Sequence, residues 1–187
     1  MTFQQLITPF PWASYSKKVQ ARIDHPKGIG FFTEEEANLR DLRFVEGVSG
    51  SSEEGNEIHL YFFVDKDDGI IVDVKYQLFG QSALVAGLES AVELLIGKNY
   101  DQAKRITLEL LDKHLRDKAE IAAFPKEMHP HLNLVLTAIE KGALQCTDLP
   151  LSLNYVAPPM PLDIGEVRIG GYPGFDELSL VQKMALI

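Results

Sequence analysis

One cysteine, Cys146, and five histidines are the residues of this 187-residue chain best suited to covalent or metal chemistry. A single thiol can form no internal disulfide. It can link to a partner thiol, or give one ligand to a centre shared between two chains; the plainer reading is an inert, partly buried side chain. His129 and His131 could each offer an imidazole to a metal ion. Against that, His129 suits a helix N-cap ahead of Pro130 in the first turn, and His131 a solvated first-turn position. Glu53 and Glu54 sit in a Gly/Ser loop of the kind that is ordinarily solvated. His25, His59 and His114 have no ligand spacing and read as surface or packing residues. No nucleophile–base pair, Gly-rich phosphate loop, Gly-x-Ser-x-Gly or His-Glu-x-x-His is present, so no enzymatic step is expected.

Composition narrows the field further. Eighteen basic against 27 acidic residues give a net charge of −9, and no Lys/Arg-rich run offers a nucleic-acid footprint. No stretch approaches the roughly 18 apolar residues of a membrane span. Met1 to Trp12 is apolar and aromatic but lacks the basic start and continuous apolar core of a signal peptide. A cytoplasmic protein is expected.

The elements that must position these residues follow from period and punctuation. Ser14 to Ile23 predicts a short helix capped by Ser14 or Ser16, and Thr33 with Glu36 a capping box. Leu42 to Val48 reads as a strand and Ser49 to Asn56 as a polar loop. Ile58, Leu60, Phe62 and Val64 alternate with His59, Tyr61 and Phe63. After the Asp68-Gly69 turn, Ile70, Val72, Val74, Tyr76 and Leu78 alternate with Asp73, Lys75 and Gln77. Period two over both runs predicts an antiparallel hairpin with one solvated face. Beyond Gly80, Leu84, Val85, Leu88, Val92 and Leu95 recur at helical spacing. Asn99 with Gln102 opens a second helix expected to run to about Lys118, and Leu132, Val135, Leu136, Ile139 and Ala143 stripe a third. Strands followed by helices predict an α+β fold, a small antiparallel three-stranded sheet packed on one face by helices. From Thr147 the chain turns Pro- and Gly-rich, then ends on an apolar-periodic run from Leu178 to Ile187. The expected organisation is one domain over 1–146 and an extended tail over 147–187.

Several short stretches, in order, resemble the IscU/NifU N-terminal family of iron–sulfur cluster scaffolds. Tyr15-Ser16-Lys17-Lys18-Val19 and His25-Pro26-Lys27-Gly28-Ile29-Gly30 are similar to its opening motifs. Glu54-Gly55-Asn56 stands where the family has Cys-Gly-Asp. Phe79-Gly80-Gln81-Ser82-Ala83 stands at its Tyr-Gly-Cys, and Gly97-Lys98-Asn99-Tyr100-Asp101-Gln102-Ala103 at its Gly-Lys-Ser-x-x-Glu-Ala. His129-Pro130 replaces its His-Cys. The likeness covers roughly residues 14–146. It implies that Glu54, Asn56, Gln81, His129 and Pro130 occupy the cluster-site positions, with every ligand cysteine lost.

A [2Fe–2S] scaffold needs thiolates, and this set supplies a carboxylate, two amides, an imidazole and a proline. The family likeness therefore implies an iron–sulfur assembly protein acting as a docking or accessory module, with no cofactor of its own expected. A cysteine desulfurase or a cluster recipient would be its partner. One rival is a scaffold holding iron, zinc or a cluster through Glu54 and His129, or through a shared Cys146. Another is an interaction module unrelated to clusters. Leu180 to Ile187 is similar to the first helix of Nfu-type domains, implying that a cluster-carrying domain follows Ile187 and that 147–187 is the linker to it.

Overall fold

The computed structural model describes residues 12–151. The expected features before residue 12 and after residue 151, the tail helix included, lie outside the described residues. Three strands, β1 (Leu42–Ser51), β2 (Asn56–Asp65) and β3 (Ile71–Phe79), form an antiparallel sheet in the order β1-β2-β3. The helices are α1 (Lys17–Asp24), α2 (Glu34–Leu39), α3 (Ala83–Leu95), α4 (Tyr100–Ala103), α5 (Leu108–His114) and α6 (His129–Leu144). The α+β expectation holds: α3 and α6 bury the main core against one sheet face, around Val45, Leu60, Phe62, Tyr76, Leu84, Leu88, Leu132 and Val135.

Local chemistry explains where the boundaries fall. Ser16 caps α1 by accepting from Val19 N–H, and Thr33 and Glu36 close the expected capping box on α2. The polar loop is shorter than expected. β1 runs on to Ser51, one 3₁₀ turn spans Ser52–Glu54, and β2 starts at Asn56. The helix expected from Asn99 to Lys118 is broken in two: Asn99 and Gln102 do form a capping box, but α4 stops after Ala103. Thr107 accepts from Leu110 N–H and begins α5 afresh, because a threonine hydroxyl competes for backbone donors and favours a cap over a helix interior. His129 is not the cap of α6. A 3₁₀ turn over Lys126–Met128 leads into that helix, Met128 holds the cap position, and His129 and Pro130 are its first residues.

The solvated sheet face needs correction at one end. The β2–β3 register shifts between Phe63 and Val64, where Phe63 pairs Asp73 but Val64 pairs Ile71, leaving Val72 as a bulge. Parity changes there. Ile71 joins Val74 and Tyr76 in the main core, and Val72 turns to the opposite face. It meets Phe32, Ala37, Leu42, Tyr61 and Phe63 in a second, smaller cluster roofed by α2. Phe32 stacks on Phe63 with ring centroids 3.9 Å apart, and Arg40 and Lys75 lie over the two rings.

Both sheet edges are occupied. Along β3, Tyr76 exchanges backbone hydrogen bonds with Gly28 and Gly30, and Ile71 with Gly97 and Lys98. Along β1, Lys141 Nζ donates to the Val48 carbonyl at 2.8 Å and Gln145 Nε2 to the Glu46 carbonyl at 2.6 Å. Helix α6 lies very close to the strands. A Cβ on Gly47 would come within 1.9 Å of the Ala138 carbonyl oxygen, and one on Gly142 within 2.1 Å of the Phe62 ring.

Candidate functional site

Three elements converge where the first turn of α6 meets the ends of the β1–β2 and β3–α3 connections. Asn56 opens β2 and is buried, and its Oδ1 accepts from Gln81 N–H at 2.9 Å. Its Nδ2 lies 3.4 Å from His131 Nδ1, and the Gln81 amide lies 3.4 Å from His131 Nε2. The amide orientations fix one another. With Oδ1 committed to Gln81 N–H, Nδ2 must face Nδ1, which therefore presents a lone pair. At the other ring nitrogen the Gln81 atom that faces it is Nε2. Gly80 makes room: it has φ of 142°, and a Cβ there would sit 2.3 Å from Asn56 Oδ1.

The expected site residues divide. Asn56 and Gln81 are brought together, and the imidazole that joins them is His131 rather than His129. Residues two apart on a helix point to different sides, so His129 and Pro130 fall outside the hydrogen-bonded group. Glu54 is exposed on the 3₁₀ turn, with its backbone N–H bonded to Ser51 Oγ at 3.2 Å. Among the described residues no three His, Cys, Asp or Glu side chains converge to hold a metal ion. The pairing of Glu54 with His129 as a metal set thus lacks a third such donor.

Cys146 stands apart from this group. It follows α6 at the far end from His131, and the helical rise from His131 to Leu144 alone is about 20 Å. It is 1% exposed, packed among Val45, Phe62, Val64, Ile71, Tyr100, Gly142 and Ala143. Burial pushes its thiol pKa up to about 11. It is more deeply buried than the plainer reading expected, and the thiolate is the reactive and metal-binding form.

Two polar groups escaped the sequence reading. Glu89, 2% exposed in α3, takes three donors on Oε1: Lys27 N–H at 3.0 Å, Gly28 N–H at 2.8 Å and the Tyr76 hydroxyl at 2.8 Å. Burial first, then the Glu89 carboxyl, push the Tyr76 hydroxyl well above the ordinary tyrosine range. The available signal was a Glu directly after Leu88, amid the apolar stripe of the helix. On the outer sheet face, His59 Nδ1 lies 2.6 Å from Glu46 and Nε2 2.9 Å from Glu57, which raise its pKa above the usual imidazole value. Cross-strand spacing of Glu46 and His59 was the signal for that pair.

Residues 14–147 match the sequence model of the NifU-like N terminal domain. This chain belongs to that family. An iron–sulfur cluster assembly protein 1 of Debaryomyces hansenii, named as mitochondrial, is 29% identical over 101 residues, 54% of each chain. The iron–sulfur cluster assembly enzyme IscU of Drosophila melanogaster is 28% identical over 106 residues, 57% of this chain and 65% of that one. This NifU-like chain thus spans between half and two thirds of the length of these relatives. The solved N-terminal part of a nitrogen-fixing NifU-like protein from Brucella abortus covers 68% of this chain and 87% of its own, with 15% identity and a TM-score of 0.43. Among the described residues no helix of the NifU-like domain is long and apolar enough to cross a membrane.

Proposed function

We propose that this NifU-like domain serves iron–sulfur cluster assembly as a docking or accessory module and does not itself hold a conventional cluster. One observation carries the reading. At the end where the family places its thiolates, the side chains in contact are Asn56, Gln81 and His131, and the only thiol is buried in the core beyond the far end of α6, about 20 Å of helix away. Two neutral amides and one imidazole cannot hold two ferric ions bridged by sulfide, a centre that draws its stability from thiolate charge. The domain's work is then to hold a partner, either a cysteine desulfurase or a protein that receives clusters. The Pro/Gly-rich stretch over 147–187 would join it to a following Nfu-like domain that carries the cluster, raising the effective concentration of partner at that domain without new contacts.

Anaerobic reconstitution with iron, cysteine and a cysteine desulfurase tests the reading. Iron and acid-labile sulfide per chain should stay far below stoichiometric, while the chain still retains the desulfurase or a recipient on an affinity column. A stoichiometric cluster with its visible absorption would return the domain to the scaffold role. Failure to bind either class of partner would favour an interaction module outside cluster assembly.

A further inference from the structure

A metal or cluster held by side chains from three separate elements ties those elements together, and its binding energy becomes folding energy. Here side-chain hydrogen bonds join three elements. Asn56 is the central knot: its carboxamide accepts from the backbone of the β3–α3 turn and faces an imidazole on α6. We propose that Asn56 is a positioning residue whose hydrogen bonds latch the start of β2, the Gly80-Gln81 turn and the first turn of α6, so that the order of this end does not depend on a bound ion. The inference goes beyond the docking reading and needs no partner, so the two can fail separately.

The geometry gives the latch a hierarchy. The bond from Gln81 N–H is the strong member at 2.9 Å, whereas both contacts to His131 are long at 3.4 Å. Asn56 is 7% exposed, so its amide has little water to fall back on and its partners decide its conformation. Gly80 is part of the device. Its backbone conformation and missing Cβ allow Asn56 Oδ1 to reach the next residue's N–H. Asn56 is itself placed by β1–β2 pairing, opposite Ser51. The latch therefore couples the sheet to the turn through one side chain.

The test is amide hydrogen exchange by NMR on the full chain, kept in chelator, with thermal melts beside it. In the unmodified chain Gln81 N–H should be protected well above a solvent-exposed turn amide. Asn56→Ala should accelerate exchange at Gln81 by about tenfold or more while the centres of β1 and β2 keep their protection. Asn56→Asp keeps the acceptor oxygen and should keep Gln81 protected. Neither chelator nor added Zn²⁺ should move the melting midpoint of the unmodified chain. Free exchange at Gln81 in that chain, unchanged exchange in Asn56→Ala, lost protection in Asn56→Asp, or a midpoint raised by Zn²⁺ would each overturn the proposal. If Asn56→Ala fails to fold, the unmodified chain, Asn56→Asp and the Zn²⁺ melt still decide it.

Discussion

Glu89 puts a carboxyl group inside the α3–sheet interface, where it survives because two backbone N–H groups and a tyrosine hydroxyl converge on one oxygen. Those donors fasten the Lys27–Gly28 backbone beside β3. Removing the carboxyl leaves buried donors without an acceptor, a cost of roughly 1–3 kcal/mol each. Glu89→Ala should therefore lower the urea midpoint clearly more than Glu89→Gln, which can still accept on its amide oxygen. Equal losses in the two variants would mean that packing, and not acceptance, is what Glu89 supplies. His59 makes a prediction of opposite character. Its folded pKa is raised by hydrogen bonds to Glu46 and then Glu57. Its contribution is thus complete below the unfolded value near 6.5 and disappears as pH climbs through the higher folded value. Stability curves of the unmodified chain and His59→Gln should separate at pH 5–6 and converge on the alkaline side, by a small amount because the pair is partly solvated. Curves that part instead toward high pH would show the wrong sign. At this scale the sequence was partly legible. Family-like spacing pointed to Asn56 and Gln81, but His131 could replace His129 only once the first turn of α6 was placed. A cap at Met128 and not at His129 rotates the imidazoles by one position. Glu89 stayed hidden because two of its three donors come from a segment some 60 residues away, which no periodicity can bring near.

The elements were more legible, since period and caps are local. Both capping boxes and the β2–β3 turn at Asp68-Gly69 stand as expected, and α3 holds its apolar stripe. Misses came where a single residue outranked the pattern. Thr107 split one expected helix into α4 and α5, so Thr107→Ala should cost about 1 kcal/mol in unfolding free energy. It should also raise amide exchange at Leu110, whose N–H the hydroxyl now receives; unaltered exchange there would count against Thr107 as the cap. Val72 broke period two because a bulge cannot be read from alternation alone. The contact between α6 and the sheet is made at glycines, and Gly142→Ala drives a methyl into the Phe62 ring, which lies 2.1 Å from the ideal Cβ. Such overpacking costs typically 1–3 kcal/mol. A thermal midpoint within a degree of the unmodified chain would mean that α6 can shift at no cost.

On the scale of the whole molecule, an acidic surface and a fold shared with the NifU-like family leave open which macromolecule the domain meets, but they bear on how. With a net charge of −9, encounter with a basic partner surface gains from long-range attraction. Association rates measured by surface plasmon resonance should fall severalfold between low and physiological salt, with dissociation rates changing less. A rate indifferent to salt would place the recognition in apolar contacts. The fold class was readable because strands preceding helices leave few ways to cover one sheet. The burial of Cys146 in that core was not, since a lone thiol after an apolar stripe suits a surface as well as an interior.

Lys141 on α6 and Gln145 at its C-cap reach to the carbonyls of Val48 and Glu46 on the edge strand β1. A passing peptide that tried to add itself to the sheet there would find those acceptors already taken. Strand addition at those two positions would first have to displace the Lys141 and Gln145 side chains.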